Sequence, residues 1–139
     1  MELAIRAREV APRLSAGAYI LHSGLEKWRG GDEQAAWLQG MAMTAIPVLG
    51  KLPARRFLRL LAAGEIVTGA ALLAPVVPAA VAGAALTAFS AGLMTLYARS
   101  PGLRRPGSVW PTQDGIGIAK DVWLLGIGVG LLTDAAASR

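Results

Sequence analysis

The chain has 139 residues, a formal net charge of +5, no cysteine and one histidine, and 54% of its residues are hydrophobic. The lack of cysteine excludes disulfides, thiolate nucleophiles, Cys-ligated zinc and iron–sulfur clusters, and one histidine excludes a multi-His metal or haem site. The high apolar content indicates a membrane protein with one domain over residues 1–139. Its basic residues lie at the ends of apolar stretches, which is typical of membrane flanks and not of a nucleic-acid-binding protein.

The first third of the chain predicts one membrane span and one surface helix. The span covers about residues 10–28, and its polar residues share one helical face: Ser15, Tyr19, His22 and Glu26. Gly30-Gly31 ends this helix. The helical spacing of Trp37, Leu38 and Met41 then predicts an amphipathic helix over about residues 32–46, lying on the membrane surface. That helix either caps the bundle without a binding role or gates a cavity beneath it.

Three further spans are predicted at about residues 57–78, 79–98 and 115–133. The first of these is long enough to cross a bilayer, yet it carries Glu65 about 12 Å from its basic end, at about 1.5 Å per residue. An ionisable group at that depth costs about 3 kcal/mol on insertion scales and normally faces the bundle interior. The last span holds Lys120 and Asp121 near its start, and its Gly126 and Gly130 predict close contact with another helix.

Because successive spans run in opposite directions, charged residues from several helices are expected at one depth in the membrane. That depth lies beneath the two longer loops, residues 29–56 and 99–113. The predicted intramembrane polar cluster comprises His22, Glu26, Lys27, Glu65, Tyr97, Lys120 and Asp121, and the predicted interfacial anchors are Trp28, Trp37 and Trp110. The opposite leaflet is expected to hold almost only Ala, Gly, Leu and Val. The cluster is either a self-neutralising network that fixes helix order or a polar cavity that holds a ligand head group or relays protons. No catalytic residue and no metal site is assigned.

Short motifs in three of the spans resemble those of the DoxX-like family of small four-helix membrane proteins. They are an Arg-Leu…Gly…Gly-x-x-Lys pattern, an acidic residue followed by Gly and an apolar run, and a Lys-Asp start with an apolar Gly-rich continuation. The matching residues are Arg13-Leu14, Gly17, Gly24 and Lys27; Glu65, Gly69 and 70–73; Lys120-Asp121 and 123–132. The resemblance implies an all-α, integral membrane four-helix bundle. Family members include a membrane subunit of a thiosulfate:quinone oxidoreductase and a partner in membrane-associated oxidative-stress complexes.

Three functions are compatible with these residues. In the first, the chain is a membrane subunit or partner of a quinone-linked redox complex: the cavity holds a quinone head group, Glu65, His22 or Asp121 handle protons, and a redox partner or bound substrate supplies electrons. In the second, it is a non-enzymatic membrane adaptor. In the third, it binds or carries a lipid or small molecule. The excess of Lys and Arg in the two longer loops predicts a multi-pass protein of the cell membrane with those loops in the cytoplasm.

Overall fold

The computed structural model describes residues 5–138, which form an all-helical fold. Six helices follow in order: α1 (Ala7–Trp28), α2 (Asp32–Ala45), α3 (Ala54–Leu73), α4 (Ala79–Arg99), α5 (Ile116–Ala119) and α6 (Val122–Ala137). Short 3-10 turns at Pro47–Lys51 and Pro101–Leu103 lie between them. The predicted all-α class is therefore confirmed. The predicted helices over residues 10–28, 32–46, 57–78 and 79–98 each correspond to one element, apart from a few residues at the ends, whereas the predicted helix over 115–133 is divided into α5 and α6.

Proline and glycine set most of the helix boundaries. Gly31 precedes α2, Pro53 precedes α3 and Pro78 precedes α4. Proline suits these positions because its fixed φ and missing N–H are tolerated at a helix start but not in a helix interior. For the same reason α3 ends at Leu73, ahead of Pro75, and not at Pro78 as the sequence predicts. The short link over residues 74–78 then turns α3 back into an antiparallel α4.

The helices form two closely packed antiparallel pairs, α1 with α3 and α4 with α6. Glycine makes both contacts possible: a Cβ at Gly24 would lie 2.9 Å from the Cβ of Glu65, and one at Gly128 would lie 2.8 Å from the backbone nitrogen of Thr87. The prediction that Gly126 and Gly130 mediate helix contact is wrong, because a Cβ at either would meet no atom of the described chain within 4 Å. Since α6 is apolar on every side, its sequence does not indicate which face packs.

The two pairs join into one bundle through α3 and α4, while α1 and α6 touch only loosely. The shared core consists of Ala16, Ile20, Leu72, Ala82, Leu86, Leu124 and Leu131. Arg8 Nε lies 2.7 Å from Asp134 Oδ1, so the start of α1 and the end of α6 meet at one end of the bundle. Helix α2 packs across α3 at the opposite end.

Two helical segments, Ala79–Arg99 and Ile116–Ala137, are long and apolar enough to cross a membrane. The second segment combines α5 and α6. Helices α1 and α3 are of similar length but carry more charged residues.

Candidate functional site

A buried ion pair joins α1 to α3. Lys27 Nζ lies 2.9 Å from Glu65 Oε1, with only 19% and 5% of the two side chains exposed. The same ammonium donates a hydrogen bond to Ser23 Oγ at 2.7 Å. Gly24, one helical turn before Lys27, lets α3 approach closely enough for this contact. The second carboxylate oxygen, Glu65 Oε2, is buried and accepts no hydrogen bond from the described residues, although a buried acceptor normally has a partner.

Glu65 lines a partly open cavity of about 280 Å³ bordered by residues of α1, α2, α3 and α4, of the α5–α6 segment and of the loop before it. Its polar lining residues, here called the polar wall, are Tyr19, Ser23, Lys27, Glu65, Asp114 and Asp121. The remainder is apolar and aromatic, including Ile20, Trp37, Leu38, Met41, Phe57, Leu61, Phe89, Leu93, Leu96, Ile118 and Leu124. A mostly apolar chamber with a few convergent polar groups is the usual character of a small-molecule site.

Helix α2 forms the roof of this cavity. Trp37, Leu38 and Met41 line it from above, while Gln39 Nε2 donates hydrogen bonds to the carbonyl oxygens of Leu49 and Leu52 at 3.1 and 2.6 Å. Those bonds tie α2 to the turn that follows it. Of the two interpretations left open for this helix, a contribution to the cavity is thus the one that the geometry favours. The Trp37 side chain lines the cavity although it is 61% exposed.

The structure brings only part of the predicted polar cluster together. Lys27, Glu65 and Asp121 line the cavity, whereas His22 and Glu26 pair with each other at 3.2 Å on the outer surface, with 72% and 69% of their side chains exposed. The reason is the orientation of α1: its contact face with α3 is fixed by Gly17 and Gly24, which turns His22 and Glu26 away from the bundle.

Tyr97 and Lys120 also lie outside the cavity lining. Tyr97 is buried, and its hydroxyl donates to the carbonyl oxygen of Val109, which fastens the loop after α4. Lys120 is exposed and lines a separate groove beside the cavity. All three predicted anchors are exposed. Trp37 borders the cavity, Trp110 lies in that same loop, and Trp28 lies 4.8 Å beneath the guanidinium of Arg59 in a cation–π contact.

A second buried charge cluster, which the sequence did not predict, lies at the opposite end of α1. Arg13 is 1% and Glu9 2% exposed, and Arg13 Nη1 lies 3.6 Å from Glu9 Oε1. Arg13 donates to the carbonyl oxygens of Leu72 at 2.8 Å and of Ala71 and Ala74 at 3.0 Å. Since the last carbonyls of a helix lack intrahelical partners, Arg13 caps the end of α3.

The expectation of an almost purely Ala, Gly, Leu and Val composition at this end of the bundle is therefore wrong. The i, i+4 spacing of Glu9 and Arg13 was the available signal. It gave no sign that the pair is buried, because charges near a helix end ordinarily extend toward water.

Comparisons with known proteins find no match to this chain among protein-family models, curated proteins or solved structures. The motif positions nevertheless have structural roles. Gly17, Gly24 and Gly69 lie in the α1–α3 contact, Arg13 caps α3, and three charged positions line the cavity: Lys27, Glu65 and Asp121.

Proposed function

We propose that the chain is a four-span integral membrane protein of the DoxX-like family whose cavity binds the head group of a membrane quinone, as a subunit or partner of a quinone-linked redox complex. The observation that carries this proposal is the buried Glu65 carboxylate. One of its oxygens is held by Lys27 and the other is without a partner in residues 5–138, within a largely apolar chamber.

The membrane assignment is supported by where the apolar surface lies. Only 28% of the apolar stretch of α4 and 17% of that of the α5–α6 segment are buried within the molecule, so most of these residues face outward. Contiguous apolar surface of this kind is rare on soluble monomers, and lipid is a medium that stabilises it.

The charges of α1 and α3 are compatible with two further spans because many of them are paired inside the bundle. Glu9 meets Arg13, and Lys27 meets Glu65. Ionisable residues inside a membrane protein characteristically face the interior and pair with one another or with backbone carbonyls. The exposed charges of α3, Arg55 and Arg56, lie at its first turn, where long basic side chains reach the interface.

The polar wall of the cavity matches the hydrogen-bonding groups of a quinone–quinol couple. The Lys27 ammonium donates to a quinone carbonyl, and Glu65 Oε2 accepts from a quinol hydroxyl. Reduction of a quinone takes up two electrons and two protons. The redox partner or bound substrate supplies the electrons, and the carboxylates of Glu65 and Asp121 relay to the two quinone oxygens protons that come from water. Phe57, Phe89 and Trp37 provide apolar contacts for the ring.

The proposed orientation places the cavity and its roof toward the cytoplasm. Most Lys and Arg residues outside the helices lie in the connection between α1 and α3 and in the loop after α4. The positive-inside rule associates such basic loops with the cytoplasmic side. A redox partner would then meet the protein on this face.

Binding of a lipid or small molecule without electron transfer is a second candidate. It is favoured by the charge of the cavity wall, where Lys27 is the one cation among the described lining residues and Glu65, Asp114 and Asp121 are carboxylates. A hydrogen-bond-donating or cationic head group therefore fits the cavity better than an anion.

The test of quinone binding uses the purified protein in lipid nanodiscs. Titration with decylubiquinone is expected to quench the fluorescence of Trp37, which lines the cavity. Glu65→Gln keeps the side-chain shape but removes the charge, and it is expected to weaken binding at least about tenfold. Glu26→Gln, which removes an exposed carboxylate from α1, should leave binding unchanged. No saturable quenching in the wild-type protein, or equal effects of the two variants, would contradict the proposal.

A further inference from the structure

A groove opens on the side of the bundle between α1 and α6, outside the cavity already described. It has a volume of about 350 Å³ and is lined by Ser15, Ala16 and Tyr19 on one side and by Trp123, Leu124 and Ile127 on the other. The groove exists because α1 packs closely against α3, and α6 against α4, while α1 and α6 touch only loosely.

The groove adjoins the cavity. Tyr19, Asp121 and Leu124 line both spaces, so one layer of side chains forms the boundary between them. From this boundary the groove extends toward the end of the bundle where Arg8 meets Asp134, because Ser15 precedes Tyr19 in α1 and Ile127 follows Asp121 in the antiparallel α6. In a membrane that direction leads from the cavity toward the bilayer centre.

Polarity changes along the same path. Lys120 and Asp121 lie at the cavity end of the groove, and Leu124 and Ile127 lie farther along it. A ligand with a polar head group beside Glu65 and an apolar chain directed toward the bilayer centre matches the polarity at both ends of this path.

We propose that the groove is a lateral portal and tail site, which holds the apolar chain of a quinone while its head group enters the cavity between Tyr19 and Asp121. This inference rests on the proposed function. A lipid-soluble quinone cannot leave the bilayer without exposing its chain to water, and α2 covers the cavity from above. Entry from the side keeps the chain in apolar surroundings throughout.

The experiment compares two probes in nanodiscs: decylubiquinol and its tailless analogue, 2,3-dimethoxy-5-methylhydroquinone. Ser15→Phe places a ring in the groove from an exposed position. It is expected to weaken decylubiquinol binding about tenfold by steric exclusion and to leave the tailless probe unaffected. The matched control is Ala91→Phe, on an exposed face of α4 away from the groove, and it should change neither affinity.

Each remaining outcome overturns part of the inference. If Ser15→Phe affects both probes equally, or neither, the groove is not a tail site, while the dependence on Glu65 still supports head-group binding. If the wild-type protein binds neither probe, the proposed function fails and the tail site fails with it.

A photoreactive group at the end of the decyl chain gives an independent reading of the same site. Labelling is expected on Ser15, Trp123 or Ile127, and labelling confined to other outward faces contradicts the proposal. Displacement of the label by phospholipid alone, but not by quinol, would identify the groove as a structural lipid site and would also overturn it.

Discussion

Glu65 is 4% exposed and has one oppositely charged partner, Lys27, within the described chain. Removing one member of a buried ion pair commonly costs about 3–5 kcal/mol, whereas replacing both members by apolar residues is often neutral. The pair therefore contributes to the placement of α1 against α3, and its free oxygen is available to a ligand.

Lys27→Met is accordingly expected to lower the free energy of unfolding by about 3 kcal/mol, because it leaves the Glu65 carboxylate unpaired. The double variant Lys27→Met/Glu65→Leu should regain most of that loss. Denaturant unfolding in detergent, followed by circular dichroism, measures both values. A double variant no more stable than Lys27→Met alone would show that the pair does not act as a unit.

Arg13 differs from Arg8, the other arginine of α1, because it is buried and donates to three backbone carbonyls of the α3 terminus. Arg13→Ala is expected to destabilise the protein by about 3 kcal/mol, since it removes the buried donor to these carbonyls and the charged partner of Glu9. Arg13→Lys should restore little, because an ammonium lacks the planar fork of a guanidinium.

The control for this prediction is Arg8→Ala. Arg8 pairs with Asp134 on the surface, where 56% of the Arg8 side chain is exposed, and an exposed pair of this kind contributes about 0–1 kcal/mol. Equal losses of stability in Arg8→Ala and Arg13→Ala would contradict the buried capping role.

At the scale of elements, the contact of α4 with α6 depends on one glycine of the three in the middle of α6. Alanine is favoured over glycine in a helix interior by roughly 0.5–1 kcal/mol, so Gly126→Ala and Gly130→Ala, which meet open space, are expected to be neutral or stabilising. Gly128→Ala should instead destabilise by about 1–3 kcal/mol through overpacking, because its Cβ would lie 2.8 Å from the Thr87 backbone nitrogen. Thermal unfolding of the three variants in one detergent measures whether each substitution raises or lowers the stability. A change of the same sign in all three variants would exclude this packing.

At the scale of the whole molecule, the proposed topology places both ends of the chain on one side of the membrane and the loops that flank the cavity on the other. Because the chain contains no cysteine, single cysteine substitutions can be labelled without background. Gln113→Cys and Lys51→Cys, at exposed loop positions, should react with a membrane-impermeant maleimide only from the cytoplasmic side. Ser138→Cys should react only from the opposite side. Labelling of all three from the same side would rule out four spans.

Much of this architecture follows from the sequence, and the part that does not has physical causes. Proline and glycine mark the helix ends, and the cost of a charge in lipid predicts an inward Glu65. Of the predicted cluster, Lys27 faces inward whereas His22 and Glu26 face outward. This depends on which face α1 turns to α3, and that is a property of the packed pair rather than of either helix. The burial of Arg13 was missed because its partners are backbone carbonyls of α3, which no side-chain pattern reveals.

The pairing of α1 with α3 also has a consequence for biosynthesis. The buried charges of α1 find their partners largely on α3, which leaves the ribosome later, after α2 has been made. In the proposed topology, α1 alone in lipid would hold Lys27 without Glu65, and Arg13 with Glu9 but without the α3 carbonyls. We therefore expect the insertion machinery to retain α1 in hydrated surroundings until α3 arrives. In the proposed four-span topology we expect the two helices to enter the bilayer together, as a single cotranslational unit.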